Sequence, residues 1–161
     1  MQKITSLRRA LEEAIPALRT DPQALAVWVE NGNAQCQQTT NESFGFTYTL
    51  NVLLKETNVD LALISLAIFR WLRVNQPDLL SPQSDGISFD VDILDAKSWD
   101  VAIQLNLREQ VSVTLRDDGG HDLAYLPEPD PGPVIADLLG AGGADPIPPL
   151  TEVQTTGEID F

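Results

Sequence analysis

Covalent catalysis needs a nucleophile held beside a base, and this chain offers one histidine and one cysteine for the task. His121 follows Asp117-Asp118-Gly119-Gly120 and precedes Asp122, so a solvated side chain in an acidic turn is expected there. Cys36 lies in a Gln-rich stretch with no nearby cation to lower its thiol pKa, and it reads as a small strand side chain. No serine sits in a GxSxG elbow. The acids Asp90, Asp92, Asp95, Asp100, Asp117, Asp118 and Asp122 raise the question of a metal. Asp90 and Asp92 share one strand face, because strand side chains alternate. Residues 117–122, however, lack the alternating oxygen ligands and closing glutamate of a calcium loop. These acids read as a solvated face. Gly142-Gly143 lacks the flanking residues of a phosphate loop. The sequence therefore assigns no catalytic residue, no metal ligand and no cofactor.

The elements that carry these residues follow from hydrophobic periodicity. Residues 6–19 read as an amphipathic helix with Leu7, Leu11, Ile15 and Leu18 on one stripe, Ser6 as N-cap, and Pro16 kinking or ending it. Ala24 to Glu30 reads as a strand. Asn31-Gly32 then gives a two-residue hairpin signal, with a polar return strand from Asn33 to Thr40. Phe44, Phe46, Tyr48, Leu50, Val52 and Leu54 alternate with mostly polar residues as a half-buried strand. Asp60 to Asn75 reads as a second helix, apolar nearly all round and so buried on more than one side. Ile87 to Ile93, Trp99 to Leu115 (bending near Glu109) and His121 to Leu126 complete an antiparallel meander. The expected fold class is α+β: a single antiparallel (mixed) β-sheet with two main helices packed on one face, its other face polar. Trp71 and Trp99 fall in phase with the buried stripes. Trp28 does not, and it becomes a candidate for a subunit interface with Asn31, Gly32, Gln35 and Gln37 of the polar hairpin.

Charge divides the chain. Of 161 residues, the first 127 hold 17 acids and all 10 bases, while residues 128–161 hold 7 acids and no Lys or Arg. Seven of the 11 prolines lie in 127–149, four of them at alternate positions from Pro127 to Pro133. Such spacing favours extended polyproline II and prevents helix or interior strand. The expected organisation is a folded domain over 1–127 and an acidic Pro/Gly-rich extension over 128–161. Within the extension, Val134, Ile135, Leu138 and Leu139 fit one face of a short helix and form a candidate docking segment, expected to pack on a partner with 127–133 as a stiff spacer; the alternative is a plain solubilising tail. The formal net charge of −14 argues against nucleic-acid and anionic-membrane partners. Basic residues also do not interleave with aromatics. One cysteine cannot form an internal disulfide and suits a reducing cytosol. The opening MQKITSLRRALEE turns charged where a secretory signal would be apolar.

Five stretches in register carry a resemblance over roughly residues 3–115. They are Ser6-Leu7-Arg8-Arg9-Ala10-Leu11, Val29-Glu30-Asn31-Gly32-Asn33, Tyr48-Thr49-Leu50-Asn51-Val52, Trp71-Leu72-Arg73 with Asn75-Gln76-Pro77, and Phe89 with Val91-Asp92-Ile93-Leu94. In that order the chain resembles the phage tail completion protein family, the R-protein type of temperate contractile-tailed phages. The resemblance implies a non-enzymatic virion protein at the head-proximal end of the tail, assembled in the host cytoplasm. By likeness to tail terminators, it implies an α+β subunit of a ring, six-membered by that likeness, which caps tube and sheath and presents a surface to neck and head-completion proteins. Its partners would be itself, tail tube and sheath proteins, and neck proteins, with residues 134–139 expected to pack on an adjoining subunit or neck protein. A non-catalytic binding module using the polar sheet face is the alternative, and an acid-dependent hydrolase has the least support.

Overall fold

The computed structural model describes residues 1–36 and 41–129. Helix α1 (Gln2–Ala14) is followed by a single turn, α2 (Ala17–Thr20). Strands β1 (Leu25–Cys36) and β2 (Phe44–Thr57) come next, then helix α3 (Leu61–Asn75). Strands β3 (Ser88–Ile93), β4 (Trp99–Leu115) and β5 (His121–Leu126) close the described part. The five strands form one antiparallel sheet in the order β1-β2-β4-β3, with β5 also paired to β4. The α+β class and the single sheet are as the periodicity requires.

The core lies between one sheet face and the helices. Leu50, Val52 and Leu54 of β2 and Val101, Ile103, Leu105 and Leu107 of β4 join Leu7, Leu11, Ile64, Ile68 and Leu72 in one buried cluster. Pro16 ends α1, as its missing N–H and bulky ring dictate. Asp60 caps α3, its carboxylate accepting the Ala62 N–H at 2.8 Å.

Five sequence expectations are corrected. Helix α1 begins at Gln2, so Ser6 is interior rather than a cap, and its hydroxyl accepts the Trp71 indole N–H at 2.9 Å. Asn31-Gly32 is not a hairpin turn. β1 runs through it, and these two residues stand opposite the single residue Tyr48, making a bulge between Glu30 and Asn33. Asn31 takes the extra residue in the left-handed region (φ 51°), which asparagine tolerates better than most side chains. Third, the last three strands are not a meander. β3 pairs with residues 99–104 of β4 and β5 with residues 110–115, while β2 occupies the other side of β4. β3 and β5 thus share one edge, and β4 continues unbroken through Glu109. Fourth, the apolar side chains round α3 are not all used in burial: Ile64, Ala67, Ile68, Trp71 and Leu72 are buried, while Phe69 and Val74 face solvent. Fifth, the helices leave β3 bare. Phe89, Val91 and Ile93 are opposite Ile103, Val101 and Trp99 and therefore share the helix-side face, yet all three are exposed, Ile93 at 74%.

Trp71 ties the two helices together through its buried ring and its bond to Ser6. Trp71→Ala should destabilise the protein by about 3–5 kcal/mol, as large-to-small core changes do. Trp71→Phe, which keeps the bulk and loses the hydrogen bond, should cost nearer ~1 kcal/mol. Urea unfolding of the two variants checks the order; a Trp71→Ala melting point at the wild-type value would contradict the packing role.

Candidate functional site

Two features distinguish this molecule from a closed α+β core: a buried polar junction at the outer edge of β4, and a sheet with one polar face and, among the described residues, two edges without a further strand partner.

The junction is built on Glu109, which occupies an inward position in the buried row of β4 between Leu107 and Val111. A carboxylate in that row must be satisfied within the protein. Its Oε1 accepts the Lys3 backbone N–H at 2.8 Å, and its Oε2 accepts the Tyr48 hydroxyl at 3.0 Å. The first bond is a helix cap supplied from a distant strand. α1 has no side-chain cap of its own, and Glu109 satisfies one of its orphan N–H groups while placing negative charge at the positive end of the helix. Burial, together with the adjacent carboxylate, holds the Tyr48 hydroxyl far above the usual tyrosine pKa. The Lys3 ammonium, also buried, donates to Gln76 Oε1 and Glu128 Oε1, each at 2.8 Å. Gln76 Oε1 additionally accepts the Arg108 backbone N–H at 3.1 Å, in the interval where β4 has neither β3 nor β5 beside it. The N-terminal ammonium completes the junction by donating to the Tyr125 hydroxyl at 2.6 Å.

The junction is a closed set of hydrogen bonds in which each of these buried side chains finds a partner. Among the described residues, no group of three or more His, Cys, Asp or Glu is arranged to hold a metal ion. His121 opens β5 rather than sitting in a turn, with Nε2 3.4 Å from Glu42 Oε2. Asp95 lies in the β3–β4 connection. Its carboxyl is held below the usual pKa by the backbone N–H of Lys97, then by the Ser98 side chain and the Ser98 backbone N–H. No helix among the described residues is long and apolar enough to cross a membrane.

Four interface candidates from the sequence, Trp28, Asn31, Gly32 and Gln35, lie together on β1, whose only strand partner among the described residues is β2. Gln37 and the segment containing Val134, Ile135, Leu138 and Leu139 lie outside the described residues. The bulge inverts the alternation of β1. Before it Trp28 is opposite Asn51, and after it Gln35 is opposite Gly45, so both side chains reach the helix-free face. Trp28 is 41% exposed and donates its indole N–H to Glu30 Oε1 at 3.0 Å.

That face is made of cross-strand polar rows. Trp28, Asn51, Gln104 and Ser88 form one row across four strands, with Gln104 Nε2 donating to Asn51 Oδ1 at 2.8 Å. Thr49 donates to Asn106 Oδ1 at 3.0 Å in the next. Near the end of the sheet, Gly45 lies between Gln35 and Gln110. A side chain there would run into the Gln110 amide, and the space left is part of a shallow polar depression of about 290 Å³. Asn51 is only 4% exposed, and its Nδ2 donates to no acceptor within the described structure.

Comparison with known proteins shows the family to which the sequence belongs. Residues 1–129 match the family described as P2 phage tail completion protein R (GpR). The chain belongs to that family. It is 36% identical over 137 residues to the tail completion protein R of Escherichia phage P2, an alignment covering 83% of this chain and 88% of that protein. No solved structure matches it. The family match spans the whole sheet, both long helices and the junction around Glu109. Sequence reasoning had singled out β1 but missed the junction, although a glutamate in the apolar phase of β4 and a lysine in phase with Leu7 and Leu11 were its visible signal.

Glu109→Leu should destabilise the protein by roughly 2–5 kcal/mol, because it strands the Lys3 N–H and the Tyr48 hydroxyl in the interior. Glu109→Gln, which can still accept from one and bond the other, should cost clearly less; denaturant midpoints compare them. Tyr48 also fixes an alkaline limit. Its folded-state pKa is raised, so the stability it contributes is complete below the ordinary value near 10 and is lost as pH rises past it, where the unfolded chain ionises and the folded one does not. Melting temperatures from pH 8 to 11.5 should fall less steeply for Tyr48→Phe than for wild type.

Proposed function

We propose that this protein is a structural component of a phage virion that completes the tail, without catalysis, by capping tube and sheath as a ring and offering its outer surface to the neck. The family match over residues 1–129, with the P2 tail completion protein as relative, carries this reading. The fold supplies what a ring subunit needs. The sheet has an open edge at β1 and another at β3, on opposite sides, and heterologous contacts between unlike edges close into rings when the rotation permits. Six subunits are expected, by likeness to tail terminators. The candidate contact lies around Trp28, Asn31, Gly32 and Gln35, at a strand end where backbone groups and amide side chains can pair with a neighbour. In this reading residues 1–127 form the ring-building domain and 128–161 an arm, and the protein resides at the head-proximal end of the tail after assembly in the host cytoplasm.

A second reading, a non-catalytic binding module using the polar sheet face, is favoured by the buried Asn51 Nδ2 that finds no acceptor. A partner carbonyl would satisfy it once the side chains that cover it on that face move aside. The two readings separate in solution and by electron microscopy: a ring supports the cap, whereas a monomer that binds a single tail or neck protein supports the module.

Lysates lacking this protein should contain tails of uncontrolled length that fail to join heads, and supplied wild-type protein should restore joining. Trp28→Ala combined with Gln35→Lys should leave the melting temperature within a few degrees of wild type, because both side chains are exposed, and should abolish ring formation and completion. Tails of normal length and infectivity from such a lysate would reject the capping role.

A further inference from the structure

We propose that the exposed apolar row of β3 (Phe89, Val91 and Ile93, with Leu94 beyond it) is covered by residues 134–139 of the same chain. The row is on the helix-side face of the sheet, where neither α1 nor α3 reaches it, and each of these four side chains is more than 40% exposed. A contiguous apolar strip on the outermost strand of a protein with net charge −14 calls for a cover.

The path of the chain names the occupant. β5 runs antiparallel to β4, from His121 opposite Leu115 to Leu126 opposite Gln110. The chain then continues in the same direction along the outer edge of β4, and Glu128 meets Lys3 and the Arg108 guanidinium. The next strand along that edge is β3, which begins with Ser88 opposite Gln104. From Arg108 to Gln104 is about 13 Å of strand at ~3.3 Å per residue. The five residues 129–133, three of them proline, span about 15 Å when extended at ~3.1 Å per residue. The spacer therefore delivers Val134 to the level where β3 starts. Val134, Ile135, Leu138 and Leu139 recur at helical spacing, and six residues of helix extend ~9 Å. Laid from the level of Ser88, that length passes Phe89 and reaches Val91 at ~3.3 Å per residue, and the side chains of Leu138 and Leu139 at its end extend towards Ile93. Asp90 and Asp92 alternate to the other sheet face, so the acids of β3 do not oppose Asp137 of the segment. Docking on side chains leaves the backbone edge of β3 available to a neighbour.

The test is paramagnetic relaxation in the full-length protein. A nitroxide is attached at Asp137→Cys in a Cys36→Ser background, and methyl signals of Val91 and Ile93 are followed. Broadening of these signals is expected, with the methyls of Leu115 and Leu123, at the far end of the sheet more than ~30 Å along β4, unaffected. Leu138→Asp, placed in the same labelled chain, should abolish it. Broadening that occurs only when spin-labelled chains are mixed with isotope-labelled ones would overturn the proposal in favour of a second copy as occupant. Unbroadened Val91 and Ile93 signals would overturn it in favour of a free tail.

Discussion

One buried carboxylate sets where the layers of this protein meet. Glu109 receives the first turn of α1 through the Lys3 N–H and the middle of β2 through the Tyr48 hydroxyl. Gln76, just past the end of α3, accepts from both the Lys3 ammonium and the Arg108 backbone N–H of β4. The helices, which otherwise meet the sheet through apolar surface, are therefore tied to it by directional bonds at this corner. Apolar packing is non-directional and tolerates sliding, whereas a buried donor without its acceptor costs on the order of 1–3 kcal/mol. The junction thus fixes the angle of the helices on the sheet. It also fills the interval of β4 between β3 and β5, where an unpaired backbone N–H would otherwise face the interior.

Among the described residues, the sheet is covered at its centre and bare at its margins. The helices bury β2 and the matching part of β4, and stop. Beyond them lie an apolar outer strand, β3, and a far end where Leu115 and Leu123 are exposed. The opposite face carries rows of Asn, Gln and Thr that bond one another across strands. Such a face can bond a partner through directional hydrogen bonds, and among the described residues no group of His, Cys, Asp or Glu is arranged to hold a metal ion.

The parts legible in the sequence were those where one periodicity dominates. The β2 alternation from Phe44 to Leu54 and the α3 repeat announced their elements plainly, and Pro16 marked the end of α1. Asn31-Gly32 misled, because the local preference for left-handed backbone is common to hairpin turns and to bulges, and only the pairing of Glu30 with Thr49 and Asn33 with Thr47 tells them apart. Ser6 looked like a cap because the helix stripe was read from Leu7, whereas the true cap comes from Glu109, more than a hundred residues away. The exposure of Phe89, Val91 and Ile93 was hidden because alternation reports which side chains share a face, not whether a helix lies over that face. Of the interface candidates, Trp28 could be placed on the surface by its weak phase alone.

The two edges of the sheet are unlike in a way that bears on how copies can meet. β3 alternates apolar residues with Asp90 and Asp92, while Glu30 is the one charge of β1. Pairing β3 with β3 of a second copy would bring four aspartates onto one face of a two-strand ladder, and like charges across a ladder are destabilising. Pairing β1 with β1 would align two bulged strands at the point where each loses its regular register. Pairing β3 with β1 avoids both conflicts: the aspartates then meet a strand with a single acid, and the short regular strand can lie along residues 25–30 before the bulge. In the ring proposed above, the electrostatics of the edges would therefore disfavour isologous pairing and leave head-to-tail contact, the class of contact from which a closed ring is made.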